Sequence, residues 1–524
     1  MTNESLIESA RRNGIADLLS RTARRKPDHP ALVWGDHVDS FQDLDRLVGR
    51  VASSLSRVGI GFGDRVVVFA HNSRDFIVYY FALARLGAIS VPANFMLNAD
   101  ELAYILSHSD AVGYIVEDRL SETMSDAWER ANGSRVARLK GWIRTEHETP
   151  SGFVDVEMLD RDGDGDPPDV LVADDDPIQI MYTSGTESRP KGVTLTSRAL
   201  IAQYVSCIVD GSMSADDVEV HSLPFYHCAQ LHCFLTPDVY VGATSVILPA
   251  PDPEAICAAI ESHRATKLFC PPTVWISLLR SGALDRHDVS SLRKGYYGAS
   301  IMPVEVLREL GERLPQVELW NFYGQTEMSP VATILKPGDQ VRKAGSAGIA
   351  VMNVETRIVD DEDRPVPAGT VGEIVHRSPQ AMTGYWNDPE RTADTFRNGW
   401  FHSGDLGVMD DEGYLTVVDR KKDMIKSGGE NVASKEVEEC LFQHPAVAEV
   451  AVFGLPDPLW IEAVVACVVP RQGMTVAPEE LIAFARERLA GFKTPKKIFI
   501  VESLPKNPSG KILKRELRDR FAEQ

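Results

Sequence analysis

Short apolar runs that stop at glycine or hydroxyl residues, each followed by a helical pattern, recur through the first 335 residues, and nothing else in the chain limits its fold so much. Phe41 to Val58 places Leu44, Leu47, Val51 and Leu55 at helical spacing. Arg65 to Ala70 then reads as a strand, Phe76 to Leu86 as a helix, and Gly87 to Pro92 as a second strand before a capped helix start at Leu97 to Leu102. The glycines of Gly59 to Gly63 precede their strand, so they read as a turn and not as a dinucleotide loop. Strand–helix alternation of this kind predicts parallel sheets covered on both faces. The expected class is therefore α/β, and 524 residues exceed one compact domain.

The most informative strand end follows Ile178-Gln179-Ile180-Met181, where the chain continues Tyr182-Thr183-Ser184-Gly185-Thr186-Glu187-Ser188-Arg189-Pro190-Lys191-Gly192-Val193 and enters a helix at Ser197 to Ile208. Hydroxyl donors, converging backbone N–H groups, a glycine free to take unusual backbone angles and two cations suit phosphate oxygens. No G-x-x-x-x-G-K-[ST] spacing is present, so this is not a Walker loop. Further strand ends break at Leu223 to His227, Tyr296 to Ser300 and Trp320 to Gly324, with short strands at Ser245 to Leu248 and Lys267 to Cys270. Ligands of open parallel sheets gather beyond the carboxyl ends of the strands, so these loops are expected to share one site.

The style then changes. Val354 to Val359, Glu373 to His376 and Tyr414 to Val418 are short strands between Pro/Gly/Asp turns, which predicts a small β subdomain. Beyond Asp419 the pattern reads β-β-α-β-β-α-β, with helices near Ser434 to Phe442 and Pro478 to Leu489. The expected organisation is a large N-terminal domain over residues 1–419 and a mobile α+β C-terminal domain over 420–524. Asp160 to Asp169 imitates half a calcium loop, but Leu171 stands where the closing glutamate is needed, so it reads as an exposed linker.

The net charge of −21 argues against a nucleic-acid partner, and no apolar run reaches the ~20 residues of a membrane helix. No signal peptide is visible between Met1 and Leu18. Seven scattered cysteines without a Cys-x-x-Cys pair suit buried thiols of a cytoplasmic protein.

Taken together, these segments resemble, over nearly the whole chain, the acyl-adenylating superfamily: acyl- and aryl-CoA ligases, firefly luciferase and peptide-synthetase adenylation domains. The resemblance implies ATP, Mg²⁺ and coenzyme A as cofactors. Thr183, Ser184, Gly185, Thr186, Glu187 and Lys191 then belong to the phosphate loop, with Thr186 beside the metal. Tyr323-Gly324-Gln325-Thr326-Glu327 resembles the motif in which the tyrosine stacks on adenine and Glu327 meets Mg²⁺. Gly298-Ala299-Ser300 and Asn321 would line the adenine, Asp405 would hold the ribose hydroxyls, and Arg420 would contact ribose or phosphate. Lys422 matches the hinge, Lys511 the lysine that reaches carboxylate and α-phosphate, and Gly428, Gly429 and Glu430 the loop beside pantetheine. His227 would act as a conformational gate, and Cys228, Gln230, His232 and Gln325 would approach the acyl group.

The implied reaction joins a carboxylic acid, of medium or long fatty or bulky hydrophobic type, to coenzyme A through acyl-AMP. The superfamily usually carries a second threonine and a glycine where this chain has Glu187 and Ser188. A carboxylate aimed at the triphosphate would forfeit roughly 1.5–3 kcal/mol of hydrogen bonding. It would add about 4 kcal/mol of repulsion per unit charge at ~4 Å. One alternative is accordingly an enzyme that only transfers acyl groups from ready-made acyl-AMP; others load a carrier protein, oxidise an adenylate as luciferase does, or sense nucleotide without catalysis. Composition leaves monomer and homodimer both open.

Overall fold

The computed structural model describes residues 7, 9–133, 135–163, 168–183, 189–298, 302–427, 430–458, 460–506 and 512–522. Two compact units emerge. The first combines Met1–Thr183, Pro190–Thr356 and His376–Phe401, and the second is built chiefly from Arg357–Val375 and His402–Gln524.

The first unit contains two large sheets. In one, Pro30–Trp34, Thr244–Ile247, Val218–His221, Lys267–Phe269, Lys294–Gly298 and Glu318–Gly324 run parallel and in register, while Val331–Leu335 and then Ile349–Ala350 extend one side antiparallel. In the other, Ile89–Ala93, Arg65–Phe69, Gly113–Glu117 and Leu139–Ile143 are parallel, and Ile89–Ala93 continues onto Pro177–Thr183. The α/β class is as expected, with mixed sheets at their margins. Pro177–Thr183 leads not directly into a helix but into an antiparallel partner, Lys191–Thr196, and only then into the helix Ser197–Asp210. The Val193/Leu195 alternation marks this strand, and both side chains are fully buried. Helix Arg74–Arg85 buries every residue from Phe76 to Ala84, which is why it reads as apolar on all sides.

Asp160 is not in an open linker: it lies in the helix Val156–Asp162 and pairs with Arg50, because Asp155 caps that helix through the Met158 N–H. Residues 164–167 of the same stretch lie outside the described residues. All seven cysteines are free and buried.

A five-stranded sheet combines Glu355–Val359, Gly372–Arg377, Trp400–Met409, Phe396–Arg397 and Leu415–Arg420, the last antiparallel to Trp400–Met409. The C-terminal part of the second unit carries its own sheet, in which Ile461–Pro470 pairs antiparallel with Val447–Asp457 and parallel with Lys497–Ile500. Helices Ser434–Phe442 and Pro478–Arg486 fall where the sequence pattern puts them, and a final helix, Lys514–Phe521, follows.

Within the first unit, Glu219, His221, Asp238 and Lys267 are all fully buried. The Lys267 ammonium lies 2.8 Å from Glu219 Oε2 and also pairs with Asp238. Gln230 donates to His221 Nδ1 at 2.7 Å, which leaves the imidazole proton on Nε2, 3.3 Å from Asp238 Oδ2. Burial holds His221 below its ordinary range and therefore neutral, while desolvation pushes Glu219 up. Glu219, His221 and Asp238 are close enough to be metal ligands, but the lysine already supplies the counter-charge.

Candidate active site

The hairpin formed by the carboxyl end of Pro177–Thr183 and the amino end of Lys191–Thr196 flanks the expected phosphate loop, and the tyrosine motif ends Glu318–Gly324 in the other large sheet. Thr183 faces Lys191 across the hairpin, so the two residues bracket the loop between them. Ser184, Gly185, Thr186 and Glu187 lie outside the described residues, as do Ala299, Ser300, Gly428, Gly429 and Lys511. Along Glu318–Gly324 the side chains alternate: Trp320 and Phe322 are buried, and Asn321 and Tyr323 share the opposite, half-open face. Asn321 is held by a hydrogen bond to the Ser346 carbonyl at 3.2 Å.

Gly298 and Gly324 have a reason beyond room for a ligand. A Cβ on Gly298 would come within 2.5 Å of the Phe322 carbonyl oxygen, and one on Gly324 within 1.9 Å of the Pro330 oxygen. The sheet's own backbone therefore demands glycine at both places.

Glu327 sits in a short turn and is nearly buried. Its Oε1 accepts a hydrogen bond from the Tyr385 hydroxyl at 3.0 Å. Burial, together with the neighbouring carboxylate, raises the Tyr385 phenol, so it remains a donor. The Lys191 ammonium lies 5.1 Å from the centre of the same ring, at cation–π distance. Tyr385 thus joins Lys191 to Glu327, and sequence reasoning missed it. It belongs to a two-residue strand, Gly384–Tyr385, paired with Lys191–Thr196. Two residues carry no periodicity, and the dipeptide Gly-Tyr was the only signal.

His227 is half-buried on the loop after Val218–His221, and its Nδ1 accepts from the Ala229 N–H at 3.2 Å, placing the neutral ring's proton on Nε2. Beside it, Cys228 Sγ lies 3.1 Å from Thr326 Oγ1, and burial pushes the thiol up to about 12, which makes it a packing group and not a nucleophile. Gln230 is spent on His221 and on the Leu223 N–H. His232 is fully buried between Gln179 Oε1 at 2.5 Å and the Tyr204 hydroxyl at 2.9 Å, and desolvation lowers its pKa to about 3. Both side chains therefore serve the core around the loop. Gln325 is half-buried and fixes the turn through its N–H to the Pro330 carbonyl at 2.9 Å.

In the second unit Asp405, 8% exposed, lies 3.4 Å from Arg420 Nε, so the residues expected at the ribose are neighbours. Lys422 follows on the turn after Leu415–Arg420, and Glu430 is exposed in the strand Glu430–Val432.

A carboxylate such as Glu327, one oxygen engaged and lone pairs to spare, fits a hard cation such as Mg²⁺.

The family model for AMP-binding enzymes matches residues 19–386, and that for the AMP-binding enzyme C-terminal domain matches 436–511. A feruloyl-CoA synthase from Amycolatopsis sp is 37% identical over 512 residues, 98% of this chain and 100% of its own length. An indoleacetate–CoA ligase from Aromatoleum aromaticum is 36% identical, over 97% of this chain and 98% of its own. Among solved structures, ATP-bound MatB from Rhodopseudomonas palustris superposes with a TM-score of 0.88 at 28% identity, covering 97% of this chain and 99% of that one. No helix among the described residues is long and apolar enough to cross a membrane. The chain belongs to the AMP-binding enzyme family, in the acyl-CoA synthetase branch of the acyl-adenylating superfamily, and is an acid–thiol ligase of the AMP-forming kind.

Proposed function

We propose that the enzyme activates a hydrophobic carboxylic acid as its acyl-adenylate and passes the acyl group to coenzyme A. The observation that carries this reading is the Lys191–Tyr385–Glu327 cluster, which joins the start of Lys191–Thr196 to the turn that follows the Tyr323 strand. In the first step a carboxylate oxygen attacks the α-phosphorus of ATP, and pyrophosphate leaves. In the second the coenzyme A thiol attacks the acyl carbon, and AMP departs with the original carboxylate oxygen. Carboxylates acylate poorly, and the mixed anhydride supplies a better leaving group.

Mg²⁺, when bound, neutralises phosphate charge; Glu327 would hold it, with Thr186 beside it. Lys191 and the loop position the phosphates, Tyr323 stacks on adenine, Asp405 and Arg420 take the ribose, and Lys511 serves the first step. A pivot near Lys422 exchanges Lys511 for the Gly428-Gly429-Glu430 loop, so residues 420–524 act as the swinging domain. Tyr385→Phe is expected to slow AMP release about tenfold and to lower the midpoint of thermal unfolding. A hydrogen bond to a charged group is worth roughly 1.5–3 kcal/mol.

A hydrophobic acid is favoured because Gln230 and His232, two polar residues that follow the gate in sequence, are occupied in the core. Curated relatives named for ferulate and indoleacetate move an aryl acid ahead of a fatty acid as the first to be tried. ATP and coenzyme A, and seven free cysteines, suit a cytoplasmic setting.

The test is exchange of labelled pyrophosphate into ATP in the presence of a panel of aryl and fatty acids. Acid-dependent exchange is the expected result. Silence with every acid, combined with thioester formation from synthetic acyl-adenylates, would mean that Glu187 has removed the first step and only the transfer remains.

A further inference from the structure

The two stems of the lysine loop are pinned inside the second unit by a set of contacts that no motif records. The loop closes at its neck, where Lys506 bridges Ile512 and the Leu513 N–H donates to the Pro505 carbonyl at 2.8 Å. On the incoming side the Lys506 ammonium pairs with Glu449 at 2.6 Å. On the outgoing side, three residues past Lys511, the Lys514 ammonium donates to Ser434 Oγ at 2.6 Å and pairs with Glu438 at 2.8 Å. Glu438 is itself fixed by the Val452 N–H at 2.8 Å.

Ser434 carries the contact further. It opens the helix Ser434–Phe442, is fully buried, and donates to Asp419 Oδ2 twice: through its N–H at 2.6 Å and its hydroxyl at 2.7 Å. Asp419 lies just before the pivot residue Lys422, on the strand Leu415–Arg420. A relay of charge-assisted hydrogen bonds therefore runs from the hinge strand through Ser434 to the residue that carries the outgoing stem of the catalytic-lysine loop. Asp423, just beyond the pivot, is held separately to the same final helix by Arg518 at 2.8 Å.

We infer that Lys514 is a positioning residue for the adenylation step: with Ser434 and Asp419 it sets the register of the Lys511 loop against the hinge strand. The inference rests on the proposed role of Lys511. Lys514 itself touches no substrate; its effect passes through the loop stem. Placement errors of about 1 Å remote from the chemistry can cost on the order of 100-fold in rate, so losing one of several pins should cost less.

The experiment measures both half-reactions in wild type, Lys511→Ala, Lys514→Met, Lys514→Arg and Ser434→Ala: acid-dependent pyrophosphate exchange for the first, and thioester formation from synthetic acyl-adenylate for the second. Lys514→Met is expected to lower kcat of exchange about tenfold with little change in KM for ATP, and to leave thioester formation within about twofold. Lys514→Arg should recover most of the exchange, and Ser434→Ala should fall between Lys514→Met and wild type. Wild-type exchange in Lys514→Met, or an equal fall in both half-reactions without rescue by arginine, overturns the inference while a silent Lys511→Ala leaves the function intact. No exchange in the wild type overturns both. Should Lys514→Met not fold, Ser434→Ala decides: the same split supports the relay, and no split contradicts it.

Discussion

Lys511→Ala is expected to lower acyl-AMP synthesis by roughly 100- to 1000-fold, the range found when one preorganised charge-stabilising donor is removed from a developing anion. On the proposed reading, the charge that grows between carboxylate oxygen and α-phosphate would meet few cations: Lys191 at the start of its strand, Lys511, and the metal that Glu327 would hold. Attack by the coenzyme A thiol on a supplied acyl-adenylate does not need that charge at the phosphate, so thioester formation should remain within a few-fold of wild type. Assaying the two halves separately checks this. A matching loss in both halves would mean that Lys511 holds the fold or the nucleotide and not the first transition state.

The second large effect concerns stability. Lys267→Met should destabilise the first unit by about 3–5 kcal/mol, the cost of leaving buried partners of a removed charge uncompensated. Glu219 and Asp238 both pair with the ammonium with no access to water, and His221, held neutral by burial, supplies no positive charge in its place. Replacing Lys267, Glu219 and Asp238 together with Met, Gln and Asn removes the stranded charge and should recover much of the loss. Unfolding midpoints of the single and triple variants check the expectation. Because Gln230 hydrogen-bonds both to His221 and to the Leu223 N–H, the loop carrying His227 should also loosen in the single variant.

How much of this was legible beforehand depends on the period of each signal. Helices with a regular apolar stripe, such as Phe41–Arg57 and Ser434–Phe442, were placed almost to the residue because their burial repeats every turn. Strands ending at glycine were equally readable, and Gly298 and Gly324 prove to be required by neighbouring carbonyls. The antiparallel margins were not foreseen: Lys191–Thr196 follows its partner through a polar loop, and Gly384–Tyr385 is too short for any pattern. The site was legible where a motif sits on one strand end, as with Tyr323 to Glu327. Tyr385 was missed because its contact with Glu327 spans 58 residues of chain. Gln230 and His232 read as pocket residues from their place after His227. A π-helical stretch, Ala229–Leu235, turns them into the core, where Gln179, Tyr204 and His221 engage them. In the sequence Lys267 only opens a short strand, and nothing local announces two buried carboxylates brought to it from Val218–His221 and Thr236–Val241.

The central claim is that the acid is activated as a mixed anhydride with AMP. The most direct measurement uses a carboxylic acid carrying ¹⁸O in both carboxyl oxygens, with unlabelled ATP and coenzyme A, followed by mass analysis of the nucleotide and phosphate products. Attack of the carboxylate on the α-phosphorus predicts one ¹⁸O in each AMP released and none in pyrophosphate. Label recovered in inorganic phosphate alongside ADP, or thioester formed with unlabelled AMP, would contradict the account.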